Sequence, residues 1–121
     1  MPKRSAGILM FRRRGGEVEV LLMHPGGPFW AKKDLGAWSI PKGEYSEDED
    51  ALAAARRGFE EETGARPQGD FLALGEVVQR GRKASFPEVD RAQWFSPADA
   101  RRKILAAQGE FITRLLAAIG K

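Results

Sequence analysis

Three consecutive glutamates, Glu60, Glu61 and Glu62, are the residues of this sequence best suited to chemistry. At about 100° per residue on a helix, Glu61 and Glu62 lie on either side of the direction of Gly58, away from the apolar side that carries Phe59. Adjacent carboxylates repel each other unless a positive charge lies between them, and Mg²⁺ prefers such oxygen ligands. We therefore expect Glu61 and Glu62 to hold Mg²⁺, or Mn²⁺, beside a phosphate group. A solvated acidic helix face is the alternative.

The residues around this glutamate run have fixed spacings that form a longer pattern. In order they are Gly43, Glu49, Arg57, Gly58, Phe59, Glu61, Glu62, Gly64 and Ala65. The pattern resembles the signature of the Nudix hydrolase family, G-x5-E-x7-R-E-U-x-E-E-x-G-U, in which U is a bulky apolar residue. Gly58 stands where the family has glutamate, and Ala65 is a small residue at a bulky position.

The resemblance extends beyond this box. Residues 6–9, 38–43 and 89–95 look like the family's opening strand, its W-x-x-P-K-G lead-in and its late strand. The resemblance implies one Nudix domain over residues 1–121, with an α/β/α sandwich built on a mixed β-sheet. It also implies water attack on a nucleoside diphosphate linked to another moiety, with Glu61 and Glu62 as catalytic residues and metal ligands. The P-K-G lead-in, in place of P-G-G, looks more like that of the diadenosine polyphosphate hydrolases than that of the oxidised-nucleotide sanitisers.

Gly58 is the main departure from the family pattern. The glutamate usually found there is a metal ligand or takes part in base catalysis, so its loss predicts reduced activity. Glu60 is no replacement, because it points about 200° away around the helix. The structural alternative is that Gly58 relieves crowding or is an accidental or engineered substitution. In an impaired enzyme, Gly58→Glu would raise the rate tenfold or more, about 1.36 kcal/mol of barrier per tenfold.

A short middle segment is the second departure. Residues 80–87 alone separate two predicted strands, where the family has one or two more. We expect a sheet that lacks one or two strands, or a partner chain that completes it, as in a homodimer. The family's further catalytic glutamate often comes from this region, and Glu88 is the nearest candidate.

Four residues before the glutamate helix are candidates for substrate contact: Lys42, Gly43, Trp38 and Trp30. Lys42 could meet a phosphate, with a solubilising role as the alternative. The two tryptophans could stack on a base, although such rings more often anchor a core or a loop.

Two further residues are expected to support the site. Arg57, which the resemblance counts among the catalytic residues, is predicted to orient Glu49 or another carboxylate of the signature. The alternative is a surface ion pair between Arg57 and Glu61. His24, the single histidine, is expected to be structural.

The elements that position these residues follow from apolar and turn patterns. Two β-rich runs, residues 5–11 and 17–23, flank Gly15-Gly16 and predict a hairpin. Residues 24–43 read as a long loop with a short strand at 37–40. Strands are also predicted at 71–79 and 88–95.

Three helix patterns complete the prediction. Ser46 and Glu49 form a capping box, which places negative charge from residues 47, 48 and 50 in the first turn and lets Gly64 end the helix. Its buried face is expected to carry Leu52, Ala55 and Phe59. Ser96-Pro97 opens a second helix. The last runs from about 109 to 119 and presents these apolar residues: Phe111, Leu115, Leu116 and Ile119.

Composition limits the classes of function. The 121 residues include no cysteine, which excludes thiolate sites, and one histidine, which excludes multi-histidine metal sites. No apolar run reaches the roughly eighteen residues of a membrane span, and we expect a cytoplasmic protein. The net charge of +3 favours anionic ligands such as phosphates, with solubility alone as the alternative. The partner that the resemblance implies is a small nucleotide diphosphate.

Two other functions compete with the hydrolase. Gly58 and the short middle segment motivate a Nudix domain that binds a nucleotide without efficient turnover. The run Arg12-Arg13-Arg14 motivates a nucleic-acid-binding domain. That class ranks last, because the sequence lacks a recognisable reading helix or aromatic RNA motif.

Overall fold

The computed structural model describes residues 4–26, 31–46, 48–67, 69, 71, 73–75 and 89–120, with the backbone alone at 89 and 90. Within these ranges, five strands and three α-helices follow one another. In order they are β1 (Arg4–Gly7), β2 (Phe11–Arg14), β3 (Glu17–Pro25), β4 (Lys42–Tyr45), α1 (Ala51–Thr63), β5 (Val89–Phe95), α2 (Pro97–Lys103) and α3 (Gly109–Ala118). A short 3₁₀ helix, Ala106–Gln108, precedes α3. None of the described helices is long and apolar enough to cross a bilayer.

The described strands form two antiparallel sheets, one in the order β2-β3-β5 and one that pairs β1 with β4. Gly15 and Gly16 join β2 to β3 with φ of 60° and 84°. Positive φ at both central residues is the requirement of a type I′ turn, whose twist matches that of the flanking strands. The predicted hairpin is therefore confirmed at this turn.

Strand β3 lies between two helical layers because both of its faces are apolar. Val20 and Leu22 pack in one cluster with buried residues of α3. Leu21 and Met23, on the opposite face, pack with Phe59 of α1. Alternating side chains of β3 thus pack against a helix on each face of the sheet. The expected α/β/α sandwich is confirmed.

Several predicted strands differ from those observed. Residues 5–11 divide between β1, which pairs with β4, and β2, which pairs with β3. Trp38 and Ser39 form isolated bridges instead of a strand at 37–40, and the bridge from Trp38 to Ile104 is parallel. Residues 71 and 73–75 belong to no strand. Residues 76–88 lie outside the described residues, so a reduced sheet stays a prediction.

The beginning of α1 also differs from the prediction. Asp50 is the N-cap, and its carboxylate accepts the Ala53 N–H at 3.0 Å. Ser46 instead accepts the Glu49 N–H through its carbonyl at 3.1 Å, which closes a turn before the helix. The acidic residues therefore precede the first turn. Gly64 ends the helix at φ 75°, as predicted, and its N–H reaches the Glu60 carbonyl.

The buried face of α1 is made mostly of small residues. Ala54, Ala55, Gly58 and Phe59 are buried, whereas Leu52 is 43% exposed. The prediction of a buried Leu52 was wrong because the helix lies close against β1 and β4, and its small residues, not its large one, face the strands.

Gly43 and Gly58 bring the backbones of β4 and α1 into direct contact. A Cβ at Gly58 would lie 2.5 Å from both the Gly43 nitrogen and the Lys42 oxygen. A Cβ at Gly43 would lie 2.7 Å from the Ala54 oxygen. Real Cβ atoms do not approach backbone atoms this closely, so both positions require glycine for contact rather than for φ. We call this the glycine contact.

Residues 36–41, here named the bridging segment, connect the sheet to the C-terminal region. Met23 and Ser39 exchange backbone hydrogen bonds of 2.8 and 3.0 Å on one side. On the other side, the Trp38 N–H donates to Lys103 at 2.9 Å and the Trp38 carbonyl accepts from Leu105 at 2.8 Å. The segment therefore has ladder partners on both sides.

The two C-terminal helices match the sequence prediction. Ser96 caps α2 by accepting the Asp99 N–H at 3.2 Å, and Pro97 takes its first turn. In α3, Leu115 is buried and Phe111 packs against the same core. Ile112, which was not predicted, is fully buried on that face. These helices cover the Val20–Leu22 side of β3.

We expect Gly58→Ala to lower the free energy of unfolding by about 2 kcal/mol, the cost of forcing a group into a well-packed contact. Glycine to alanine in an open helix would instead stabilise by up to about 1 kcal/mol. Gly109→Ala is the matched control, since Gly109 is helical and nothing lies within 4 Å of its Cβ position. Urea unfolding measures both. A Gly58→Ala protein as stable as the parent would contradict the glycine contact.

We expect Asp50→Ala to lower the free energy of unfolding by about 1 kcal/mol, because it removes the acceptor of the Ala53 N–H. Ser46→Ala should change it by less, since Ser46 contributes a backbone carbonyl to the turn. Thermal unfolding of the two variants separates these cases. A larger loss in Ser46→Ala would restore the capping box predicted from the sequence.

Candidate active site

Glu62 is the most perturbed acidic residue of the site. Its side chain is half-buried at the last turn of α1, beside Lys42 of β4. Burial raises the pKa of the Glu62 carboxyl to about 6 from an ordinary 4.5, and the neighbouring charge of Glu61 adds to the rise. The Lys42 ammonium and backbone N–H oppose it. Glu62 is therefore a carboxylate that would gain from a further positive charge.

Glu61 is exposed and close enough to Glu62 for their charges to interact. The structure thus places together the two carboxylates that the sequence proposed as ligands. No three acidic or histidine side chains of the described residues form a group that could hold a metal ion. Two carboxylates fit the donor set of Mg²⁺, which commonly takes one or two protein carboxylates and completes its shell with water and phosphate oxygens.

The helical wheel placed Gly58 on the open side of the helix, but in the structure Gly58 does not face open space. The backbone of Lys42 and Gly43 fills the volume in which a side chain at position 58 would begin. A glutamate there would need α1 and β4 to separate. Gly58→Glu is therefore expected to disrupt the packing of α1 on β4, so it cannot serve as the test for an impaired enzyme, and the structure supports relief of crowding as the explanation for Gly58. The effect of Gly58 on activity stays a prediction.

Arg57 ties α1 to the chain that leads into it. Its guanidinium pairs with the Glu49 carboxylate and donates to the Glu44 carbonyl at 2.6 Å. Of the two pairings considered from the sequence, the structure has the one with Glu49. Glu44 was not anticipated, because a backbone carbonyl leaves no signal in the residue types. Arg57 thus holds the loop and the helix at a fixed distance.

Lys42 and Gly43 lie in β4, directly against α1. Lys42 is partly buried, and its charge acts on Glu62. Gly43 contributes close approach of the backbone. Lys42 is therefore next to the Glu62 carboxylate and Gly43 lies against α1, and the contact of either residue with substrate stays a prediction.

Trp38 lies in the core and is 2% exposed. Its ring meets Phe95 and His24 edge to face, at centroid distances of 4.9 and 5.0 Å. The indole N–H donates to Asp34 at 2.9 Å. These contacts leave no ring face open for a base in this conformation, and the structure places Trp38 in the commoner role of a core anchor. Trp30 and Glu88 lie outside the described residues.

His24 and Asp34 hold the loop around Trp38. The buried His24 ring is hydrogen-bonded through Nε2 to the Lys33 carbonyl at 2.6 Å, in line with its expected structural role. Asp34 also pairs with Lys103. These hydrogen bonds from Lys103 and Trp38 lower the pKa of the Asp34 carboxyl. The sequence carries no signal for the role of Asp34, because its partner Lys103 in α2 is 69 residues away.

The described residues could hold a cation at the Glu61–Glu62 pair. Two adjacent carboxylates lie at the end of a helix whose start is tied by Arg57 and whose middle touches β4. Lys42, a basic residue on the neighbouring strand, lies beside Glu62 of this pair. Carboxylates that bind a cation, next to an ammonium that can attract an anion, suit a metal-bound phosphate ligand.

Comparisons with known structures show the fold. An Ap4A hydrolase from C. elegans matches with a TM-score of 0.75 and 20% identity, covering 98% of this chain and 99% of that one. Its binary complex matches with a TM-score of 0.67 and 21% identity, covering 96% of each chain. The NUDIX domain of Shewanella oneidensis NrtR complexed with ADP ribose matches with a TM-score of 0.61 and 18% identity, covering 95% and 86%. No curated protein matches significantly.

A match to a family model shows the family of the chain, whereas these structures show its fold. The model of the NUDIX domain matches residues 1–86, which is more than half of the chain and includes both carboxylates, Arg57 and the glycine contact. The sequence signature, the α/β/α layers and this match agree. The chain belongs to the NUDIX domain family.

Proposed function

We propose that this protein hydrolyses a phosphoanhydride bond of a nucleoside diphosphate linked to another moiety, using a divalent cation between Glu61 and Glu62. The observation that carries the proposal is the carboxylate pair, in which burial and the neighbouring charge both raise the pKa of Glu62. A solvated acidic face would leave both side chains in water. Here one is held against Lys42, where a cation would relieve its unfavourable charge.

The residues of the chain would divide the work between holding and orienting. Glu61 and Glu62 would hold the cation, for which Mg²⁺ is the first candidate and Mn²⁺ the second. Lys42 would attract a phosphate oxygen, and Arg57 would keep α1 in place through Glu49 and Glu44. When bound, the cation supplies charge neutralisation and a more acidic water. Glu88 stays a candidate for a further catalytic carboxylate.

Dinucleoside polyphosphates are the first substrates to test. Two of the similar folds are those of an Ap4A hydrolase, and the P-K-G lead-in of residues 41–43 points the same way. This support is limited to class, because one fold serves many substrates. A panel should therefore add ADP-ribose, which a similar domain binds.

A nucleotide-binding domain with little turnover is the second candidate. The glycine contact favours it, since the backbone of β4 occupies the place where the family pattern has a carboxylate. Such a protein would bind the same diphosphates with the same cation but release them unchanged. Binding without turnover across the whole panel would support this candidate over the first.

We expect Glu61→Gln and Glu62→Gln each to lower kcat/KM for the best diphosphate at least tenfold, the effect of about 1.4 kcal/mol in the transition state. Nucleotide release with Mg²⁺, with Mn²⁺ and with EDTA measures this. Glu60→Gln is the matched control, because Glu60 is an exposed glutamate on the same turn. Equal activity in EDTA, or equal losses in all three variants, would count against the carboxylate pair.

We also expect Glu62→Gln to stabilise the metal-free protein at pH 8 but not at pH 4.5. Because the pKa of Glu62 is raised to about 6 in the folded state, its favourable contribution is complete below pH 4.5 and is lost as pH rises through 6. The gain should be up to about 1 kcal/mol after solvent screening.

Urea unfolding in EDTA measures this difference, with Glu60→Gln as the control that shows no such gain. Added Mg²⁺ should then reverse the order, since only the parent protein would be stabilised by bound ion. A Glu62→Gln protein less stable than the parent at pH 8 in EDTA would show that burial of this charge costs nothing.

A further inference from the structure

Gln108 makes a buried hydrogen bond that joins distant parts of the chain. Its side chain is 3% exposed, and Oε1 accepts the Ile40 N–H at 2.9 Å across 68 residues. Gln108 ends the 3₁₀ helix that precedes α3. It is a buried polar side chain whose oxygen serves the backbone of the bridging segment.

The bond lies two residues before β4. Ile40 is followed by Pro41, whose carbonyl accepts the Ile8 N–H at 3.1 Å, and then by Lys42. The Lys42 N–H hydrogen-bonds the Glu62 carboxylate, and the backbone of Lys42 lies against Gly58. A shift at Ile40 would therefore pass through one proline to the strand that supports the carboxylate pair.

Among the residues that the structure describes, only the Gln108 side chain accepts the Ile40 N–H. The neighbouring Trp38 is held by backbone bonds to Lys103 and Leu105, whereas Ile40 depends on Gln108 for this contact. The ladder between the bridging segment and the C-terminal region thus continues from backbone partners to a side-chain partner at the point nearest the site.

We infer that Gln108 is a positioning residue, which sets the bridging segment so that Lys42 and Gly43 meet α1 and Glu62 in the observed geometry. The inference rests on the proposed function for its effect on catalysis, but its structural half stands apart from it. Gln108 lies 22 residues beyond the region matched by the family model. It therefore assigns a role at the site to the part of the chain outside that match.

The substitution that tests this is Gln108→Met, which keeps the length of the side chain and removes the acceptor. A buried N–H left without a partner costs more than the bond itself contributed, so the bridging segment should move or open locally. Gln108→Glu keeps an oxygen at the same place. Burial favours its neutral, protonated form, which has the shape of glutamine and should rescue. Gln93→Met is the matched control, since Gln93 is exposed on β5.

Amide hydrogen exchange measures the positioning directly. In Gln108→Met, the Ile40 and Lys42 amides should exchange at least tenfold faster than in the parent protein. The Leu21 amide, which donates to Met10 at 3.0 Å in the sheet, should keep its rate. Gln108→Glu and Gln93→Met should keep all three. If Leu21 accelerates equally, or no amide changes, Gln108 does not position the site.

Kinetics measure the consequence for the reaction. With the best diphosphate, Gln108→Met should lower kcat about tenfold and change KM less than threefold. The reason is that Lys42, which the substitution would displace, acts on the reacting phosphates. Gln108→Glu should restore kcat. An unchanged kcat beside faster Lys42 exchange would overturn the catalytic half of the inference. If the parent protein shows no hydrolysis, the proposed function fails, and the exchange experiment still decides the positioning.

Discussion

The rest of the site depends on one contact, the meeting of two backbones at Gly43 and Gly58. Since neither residue carries a Cβ, α1 can lie against β4 at a distance that any side chain would prevent. That distance brings the Lys42 N–H within reach of Glu62. Contacts of this kind are determined by volume, and close-packed interiors tolerate little change in volume. The same closeness that shapes the carboxylate pair removes the space for a third carboxylate on the helix.

The sequence predicts the layers of this fold well because its signals are local. The turn at Gly15-Gly16, the end of α1 at Gly64 and the cap at Ser96 each depend on one or two residues with strong preferences. The start of α1 was misplaced by four residues, since Ser46 and Asp50 are both good caps and only the surrounding chain chooses between them. Leu52 was misassigned because periodicity does not show which stripe a strand will cover.

The candidate site was predictable in its residue types but not in its surroundings. Helical geometry and the resemblance to the signature propose Glu61, Glu62 and Arg57. Charge left both Glu49 and Glu61 open as partners of Arg57, and the structure has the pair with Glu49. The occupation of the space at Gly58 required coordinates, because a helical wheel contains no neighbours. The roles of Asp34 and Gln108 involve partners 69 and 68 residues away, and nothing in one sequence relates such positions.

The hydrogen bonds of the bridging segment have a consequence for synthesis of the chain. Its partners on one side, residues 102–108, are made more than sixty residues after it. Before residues 102–108 have been made, the Trp38 backbone lacks its partners Lys103 and Leu105, and the Ile40 amide lacks Gln108. Closing so long a loop is entropically unfavourable, and the contacts that compensate for this cost form slowly. The nascent protein would therefore expose these backbone groups until residues 102–108 have emerged.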